Sequence, residues 1–451
     1  MVYPIVRDAL ENNYSIYCYD YKFPDLSSYI YTHLKKRGET HKFKAVNFDD
    51  LTRTHRINPL HPMYVKTNEA VAELCDTIAR NLMDDHSSFW FSSLVLYLQA
   101  VLIFLRNYEH GKYCTLPHLV SICLDHRVEN IVKMCLSDLE SKDFIGAMFV
   151  AIDEGAGGQK AGVIGTVSTY LNKLNTKSIF YVLTGNEVDL VLNYDKKTGD
   201  PTHNRILCVG NTSEIQGAIK PVIALITQCS IRVNNVEQKT ERERKGRMHY
   251  VLLMDEFPTL QLLDIEQLPA TGRSRKIVTF LLAQDLSQIV RDYGKDRCNA
   301  IIANCANFFL GNCGSIETNE MGMKVFGKRK LERQSQSISR RSSELDGYGV
   351  SQSTSEHKDY IVEPHELNVF PPGQFLAKLV STEQTFYKGR VKYVEEKIED
   401  IPPFRDPKEV TEEKIKVNYE NIKKVCRELV DSYAPIESNT DTSISRKMYD
   451  S

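Results

Sequence analysis

The residues best placed to do chemistry are Asp255 and Glu256. They close the run His249-Tyr250-Val251-Leu252-Leu253-Met254 and precede Phe257. An apolar run that ends abruptly in acids is how a strand buried on both faces delivers carboxylates to the C-terminal edge of a parallel α/β sheet. At such an edge one carboxylate can hold Mg²⁺ through water. The next can polarise a water for attack on a phosphoryl group. A second buried run, Ile277 to Ala283, ends in Gln284-Asp285. A glutamine at that edge can touch both a γ-phosphate and the attacking water.

Such a site also needs a backbone cradle for phosphates, and no G-x-x-x-x-G-K-[ST] string is present. The nearest string runs from Glu154 to Gly162. Its spacing is wrong, no Ser or Thr follows Lys160, and no buried strand precedes it, so it reads as a turn before a helix. The acids and Gln284 therefore read as half of a RecA-like ATPase site. Residues Val2 to Leu10 resemble the later turns of a helix closed by Asn12-Asn13, and the strand Ser15–Asp20 follows at once. Helix then strand is the order that comes directly after a phosphate loop. The sequence thus predicts that the chain begins just downstream of one.

The elements that must position these residues read as a mostly parallel, doubly wound α/β sheet. A helix is expected near Leu26–Lys36 and a strand over Phe43–Phe48, before the Pro-punctuated turn Arg56 to Pro62. From Lys66 to about Leu174 the period becomes helical, with Val71, Leu74, Ile78 and Leu82 on one face. This predicts an all-α insert in which Trp90, the single Trp, packs in the core. Strands are expected over Ser178–Leu183, Arg205–Val209, Ile277–Ala283 and Asn307–Leu310, all in the core sheet. A helix, Ile219–Ile231, precedes the strand ending at Asp255. Residues 328–357 are of low complexity and read as a mobile loop. Two short strands, Gln374–Val380 and Gln384–Tyr393, end the fold. The expected organisation is residues 1–62 as the first part of the nucleotide-binding domain, 63–174 as the insert, 175–395 as its second part, and 396–451 as a charged, partly disordered tail. That tail has one helical candidate, Glu412–Leu429.

Composition is that of a globular chain: 451 residues, 42% hydrophobic and 26% charged, with a net charge of −2. The overall charge does not advertise nucleic-acid binding, although a local basic face remains open. Eleven cysteines form no C-x-x-C pair and no zinc-like cluster, so they read as reduced core thiols. There is no signal peptide. The longest apolar stretch, Phe89 to Leu105, contains Ser92, Ser93 and Gln99 and reads as too short and too polar to span a bilayer.

An ordered set of strings resembles the coupling proteins of conjugation and type IV secretion, the TraG/TraD-like DNA-transfer ATPases. They are Tyr19-Asp20-Tyr21-Lys22, Ile57-Asn58-Pro59-Leu60, Phe89-Trp90, Asp255-Glu256-Phe257-Pro258-Thr259-Leu260, Ala283-Gln284-Asp285-Leu286, Asn304-Cys305 and Phe370-Pro371-Pro372-Gly373. The similarity covers about residues 1–395. Two parts of the family pattern are missing, the phosphate loop and the membrane anchor that precedes it, and both losses fit an N-terminal truncation.

The resemblance implies a hexameric ATPase on the cytoplasmic face of the bacterial inner membrane, with ATP and Mg²⁺ as cofactors. It would pass relaxase-bound single-stranded DNA to a type IV secretion channel. It implies Asp255 for the Mg²⁺–water role, Glu256 as catalytic base, and Gln284 as γ-phosphate sensor. Arg273 would be an arginine finger for the neighbouring subunit, with Arg275 and Lys276 as rivals. Asp20 and Lys22 would lie near the nucleotide. Lys328, Arg329, Lys330, Arg340 and Arg341 would face DNA in a central pore, or belong to a solvated linker. Without the loop, this chain is expected to hydrolyse ATP weakly or not at all. Two other readings stay open: a non-catalytic scaffold that recruits relaxosome or secretion substrates, and an FtsK/HerA-like DNA pump.

Overall fold

The computed structural model describes residues 2–146, 158–194, 205–212, 216–237, 239–339, 349–361, 363–380, 382, 385–392 and 394–434. Five strands form a wholly parallel sheet: β1 (Ser15–Asp20), β2 (Phe43–Val46), β3 (Ile206–Gly210), β4 (Tyr250–Met254) and β5 (Ile277–Leu281), in the order β2-β3-β1-β4-β5. All residues of β1, β3 and β4 are buried, as their aromatic and aliphatic composition requires of central parallel strands. Cys18 of β1 stands opposite Cys208 and Leu253 of its two neighbours.

Alternate side chains of these strands enter different cores. On the first face, Ile16, Cys18, Ala45, Cys208, Val251 and Leu253 pack under α1 (Val2–Glu11) and α2 (Asp25–Lys36). On the second face, Tyr17, Val46, Leu207, Val209, Tyr250 and Leu252 join a larger core built with helices. Between β2 and β3 the described residues form no strand. They fold into α3 (Asn68–Leu82), α4 (Phe89–Asn107), α5 (Leu116–Cys123), α6 (Val128–Leu136), α7 (Gly158–Leu171) and α8 (Lys177–Val182). Several start at side-chain caps: Thr67 accepts from the Ala70 N–H, Ser88 from Phe91 and Thr115 from His118. Helix α9 (Gln216–Asn234) follows β3 and packs along α3.

Several expectations are corrected. Ser178–Leu183 is helical, because Thr176 caps the run by accepting from the Ile179 N–H and a short apolar run suits either element. Strand β6 (Phe308–Leu310) does not extend the core sheet. It pairs antiparallel with β9 (Gln374–Lys378), which also pairs with β10 (Phe386–Arg390). This second sheet closes a small core of Leu310, Met323, Phe326, Leu367, Phe370 and Leu376. The stretch read as a loop is a long antiparallel hairpin, β7 (Lys328–Ser339) with β8 (Gly349–Tyr360), and its polar residues hid the pairing. Trp90 is 39% exposed, with its ring set over Gly162 of α7. Phe89–Gly111 is long and apolar enough to cross a membrane by length and composition, and 72% of its apolar 18-residue stretch is buried inside the protein.

Residues beyond β10 run back over both layers. Glu396 meets His33 at 3.1 Å, and the Glu399 N–H donates to Thr32. Phe404 packs against His55, and Arg405 pairs with Glu187. The segment ends in α14 (Glu412–Asp431), the number following α10 (Glu241–Gly246), α11 (Leu286–Tyr293), α12 (Lys295–Asn304) and α13 (Ile316–Phe326). Helix α14 lies on α5, α6 and α8, where Tyr419 donates to Asn175 at 2.9 Å and Arg127 pairs with Asp431.

Because α4 is a core helix, Leu98→Ala should cost about 2–5 kcal/mol of stability, read by urea denaturation. A loss well under 1 kcal/mol would mean that this face is not packed as described.

Candidate active site

The site lies at the C-terminal edge of the parallel sheet, where β1, β4 and β5 end side by side. The Asp255 N–H continues the ladder by donating to the Tyr19 carbonyl at 3.1 Å. Asp20 and Asp255 thus emerge at neighbouring positions. Both follow the parity of Cys18 and Leu253, which places them on the face covered by α1 and α2.

At Glu256 the backbone turns left-handed, with φ 47° and ψ 49°. A non-glycine residue pays strain there, and such outliers concentrate at functional sites. Three contacts hold the turn. Phe257 N–H donates to the Leu282 carbonyl at 2.8 Å, and Thr259 donates to the Glu256 carbonyl through both its N–H and its hydroxyl. The Thr259 hydroxyl also meets the Tyr19 hydroxyl at 3.0 Å. As a result the Glu256 carboxylate faces Gln284, whose side chain and backbone N–H oppose the rise in its pKa.

Burial raises the pKa of all three acids. Asp20 is pushed up to about 6 by burial, against the hydrogen bonds from Ser27 and with the Asp255 charge adding to the rise. Its Oδ2 accepts from the Ser27 N–H at 2.9 Å and hydroxyl at 2.7 Å, while its buried Oδ1 has no partner. Asp255 is raised by burial, opposed by the Tyr21 N–H and the Lys22 charge. Glu256 is raised by burial and by Asp255, opposed by Gln284 and Lys22. Carboxylates crowded in this way are under-compensated, which fits a divalent cation. Among the described residues no three metal-ligating side chains converge, so a cation here would keep most of its ligands from water or phosphate.

Helix α1 ends at Glu11, four residues before β1 starts, so it runs antiparallel to the strands. Its N-terminus therefore stands at the same edge as the acids, where the positive end of the helix dipole favours anions. A cleft of about 410 Å³ opens beside them, lined by Tyr21, Lys22, Asn47, Asp49 and Asn211. Two larger cavities, of about 690 and 760 Å³, lie at the other edge of the sheet.

The structure thus brings together Asp20, Lys22, Asp255, Glu256 and Gln284. It does not bring Arg273 to them. Arg273 precedes β5, at the opposite edge of the sheet, and is exposed. Its two rivals are engaged: Arg275 donates to Asn235 at 2.8 Å, and Lys276 to the Arg247 carbonyl at 2.8 Å. Lys328 opens β7 with its ammonium 4.7 Å from the Tyr360 ring centre. Arg329 and Lys330 follow it in the strand, and Arg340 and Arg341 lie outside the described residues. Neither the orphaned Asp20 oxygen nor the Tyr21 N–H that opposes the rise at Asp255 is legible from residue types, because both depend on how the β1–α2 loop folds.

Residues 249–372 match the family model described as the TraM recognition site of TraD and TraG. The fold is similar to that of the bacterial conjugative coupling protein TrwB. The unbound monoclinic form matches with a TM-score of 0.65 and 12% identity, over 90% of this chain and 83% of that one. TrwB with a non-hydrolysable GTP analogue matches at 0.59 and 12%, over 89% of each chain. TrwB with ADP and Mg²⁺ matches at 0.60 and 12%, over 88% of each. A search of curated protein sequences returns no match. The family-model match is thus confined to residues 249–372, and the likeness to TrwB is one of fold.

Asp20 gives a pH test. Its carboxyl holds its proton more tightly in the folded chain, where it is about 6, than at its ordinary 3.8. Its contribution to stability is therefore fully present below pH 3.8 and is lost as pH rises through 6. Relative to Asp20→Asn, the unmodified protein should lose up to about 3 kcal/mol between acidic and neutral pH in denaturant titrations. Parallel pH profiles for the two proteins would refute the assignment.

Proposed function

We propose that this chain is the motor body of a conjugative DNA-transfer coupling protein, with its nucleotide chemistry centred on Asp255, Glu256 and Gln284. The observation that carries this reading is the strained turn at Glu256, which joins the Glu256 carboxylate to Gln284 across the ends of β4 and β5. Structural proteins have little use for such a turn at a sheet edge crowded with acids.

In this reading Asp255 would hold a Mg²⁺ ion, which would supply charge to compensate the crowded carboxylates. Glu256 accepts a proton from the attacking water. A carboxyl raised by burial is better matched to that task than an ordinary one. Gln284 fixes the direction of the Glu256 carboxylate and presents its amide to the γ-phosphate. Lys22 balances both acids, and Asp20 backs Asp255 from β1. Arg273, exposed at the far edge, serves the nucleotide of a neighbouring subunit in a hexameric ring. A guanidinium suits this because it stays charged and spreads its donors over phosphoryl oxygens. Single-stranded DNA with its relaxase is the cargo, a type IV secretion channel is the recipient, and the inner membrane is the place of work. Lys328, Arg329 and Lys330 of the β7–β8 hairpin face that DNA in this reading.

A scaffold that binds relaxosome or secretion proteins without turnover is the second reading. Equilibrium binding of ATP·Mg²⁺ separates the two. This chain alone should bind and hydrolyse ATP weakly or not at all. A longer form with a G-x-x-x-x-G-K-[ST] segment ahead of α1 should do both. In that form Glu256→Gln should lower kcat by about 10²–10⁴ with little change in nucleotide affinity. If the longer form binds no nucleotide while the chain still captures relaxase, the scaffold reading replaces the motor.

A further inference from the structure

The larger cavity at the N-terminal edge of the sheet, about 760 Å³, holds a charge that the fold does not balance. Arg247 forms part of its wall and is only 7% exposed. A guanidinium buried to that extent normally meets a carboxylate. Arg247 meets neutral oxygens instead. Its Nη1 donates to the Asn193 side chain at 3.2 Å and to the Asn234 carbonyl at 3.0 Å. Its Nε is buried without a partner, and among the described residues none accepts from Nη2. Burial accordingly lowers the pKa of Arg247, and the charge of Glu243 is the main influence against it. The Glu243 carboxylate is already committed at the start of α10. It accepts from the N–H groups of Lys239 at 2.9 Å and Thr240 at 3.2 Å.

A second guanidinium stands beside the first. Arg275 belongs to the same cavity wall and donates through Nη1 to the Asn235 carbonyl at 3.1 Å and side-chain oxygen at 2.8 Å. The two arginines thus hold consecutive carbonyls at the end of α9, where cations suit the negative end of the helix dipole. That duty occupies one nitrogen of each. Neither has an ion pair among the described residues, so two like charges stay close together. The third arginine of the cavity shows the contrast. Arg232 pairs with Glu73, which also accepts from Gln228 at 2.7 Å.

The rest of the wall says which anion fits. Val191, Ile231, Leu263 and Leu268 supply apolar surface. Glu73, Glu237, Glu243 and Asp264 line the cavity too, so a phosphate dianion meets about twice the repulsion that a single carboxylate does. A guanidinium also receives a carboxylate in a planar pair of hydrogen bonds. The volume falls in the range of about 300–1,000 Å³ typical of small-molecule sites.

We propose that this cavity binds a small organic monocarboxylate, whose charged end pairs with Arg247 and Arg275 and whose apolar body lies on Ile231, Leu263 and Leu268. The site is independent of the nucleotide reading. The ligand supplies the counter-charge that the fold leaves out.

Isothermal titration calorimetry on the full chain tests this with three probes: 4-phenylbutyrate, its uncharged amide and inorganic phosphate. 4-Phenylbutyrate should fill one saturable site with a Kd of about 1 mM or tighter. The amide should bind about tenfold more weakly, and phosphate more weakly than the carboxylate. Arg247→Lys and Arg275→Gln should each weaken 4-phenylbutyrate about tenfold and leave the amide nearly unchanged, a split that general loss of structure would not produce. Arg275 is half-exposed, so Arg275→Gln still decides the matter should Arg247→Lys not fold. Absence of carboxylate binding, equal affinity for carboxylate and amide, or tighter binding of phosphate would each overturn the proposal. So would a dimer that Arg247→Lys dissolves, because a carboxylate of a second copy would then be the occupant.

Discussion

The hydrogen bond from Phe257 N–H to the Leu282 carbonyl governs the site more than any other contact. It forms because β4 ends at Met254, and the chain must leave a sheet that is buried on both faces. The left-handed turn at Glu256 makes that exit without breaking contact with β5. Had the strand run on straight, Glu256 would point away from Gln284, and Phe257 could not pack on Tyr293 at 5.0 Å. The acid pair, its glutamine partner and the core beneath them are thus parts of one local solution to ending a parallel strand.

The same economy governs the charges. Burial raises Asp20, Asp255 and Glu256, the Asp255 charge adds to the rise at the other two, and Ser27, Gln284, Lys22 and a few backbone N–H groups oppose it. A fold selected for stability alone would replace such a cluster, since buried, partly compensated carboxylates destabilise it. At the far edge of the sheet Arg247 is likewise buried: it donates to Asn193 and to the last carbonyl of α9, while its Nε is left without a partner.

Much of this was legible in the sequence, and the reasons differ by element. Strand β4 and its acids were plain because an apolar run ending in Asp-Glu has few other meanings. Helices α3 and α9 were plain because their apolar faces repeat with the helical period over many residues. The helix at Lys177–Val182 was not, since six residues are too few to show a period and its cap decides the outcome. The β7–β8 hairpin was invisible because its pairing is carried by backbone bonds between polar residues. The place of β6 in a second sheet depends on β9, which is more than sixty residues away in the chain. At the site, residue types were readable and partners were not. That Gln284 meets Glu256 follows from the register of β4 on β5, which no single strand announces.

The helices between β2 and β3 look like a separable insert along the chain, but they share one core with the second face of the sheet. That core runs from Tyr17 and Met254 through Leu74 and Leu98 to Leu429 and Val430 of α14. The C-terminal segment then ties the two layers together from outside. Evolution could not exchange this helical layer among relatives as a cassette. Any graft would have to bring α9 and α14 with it, and the layer should drift in sequence together with the last forty residues of the fold.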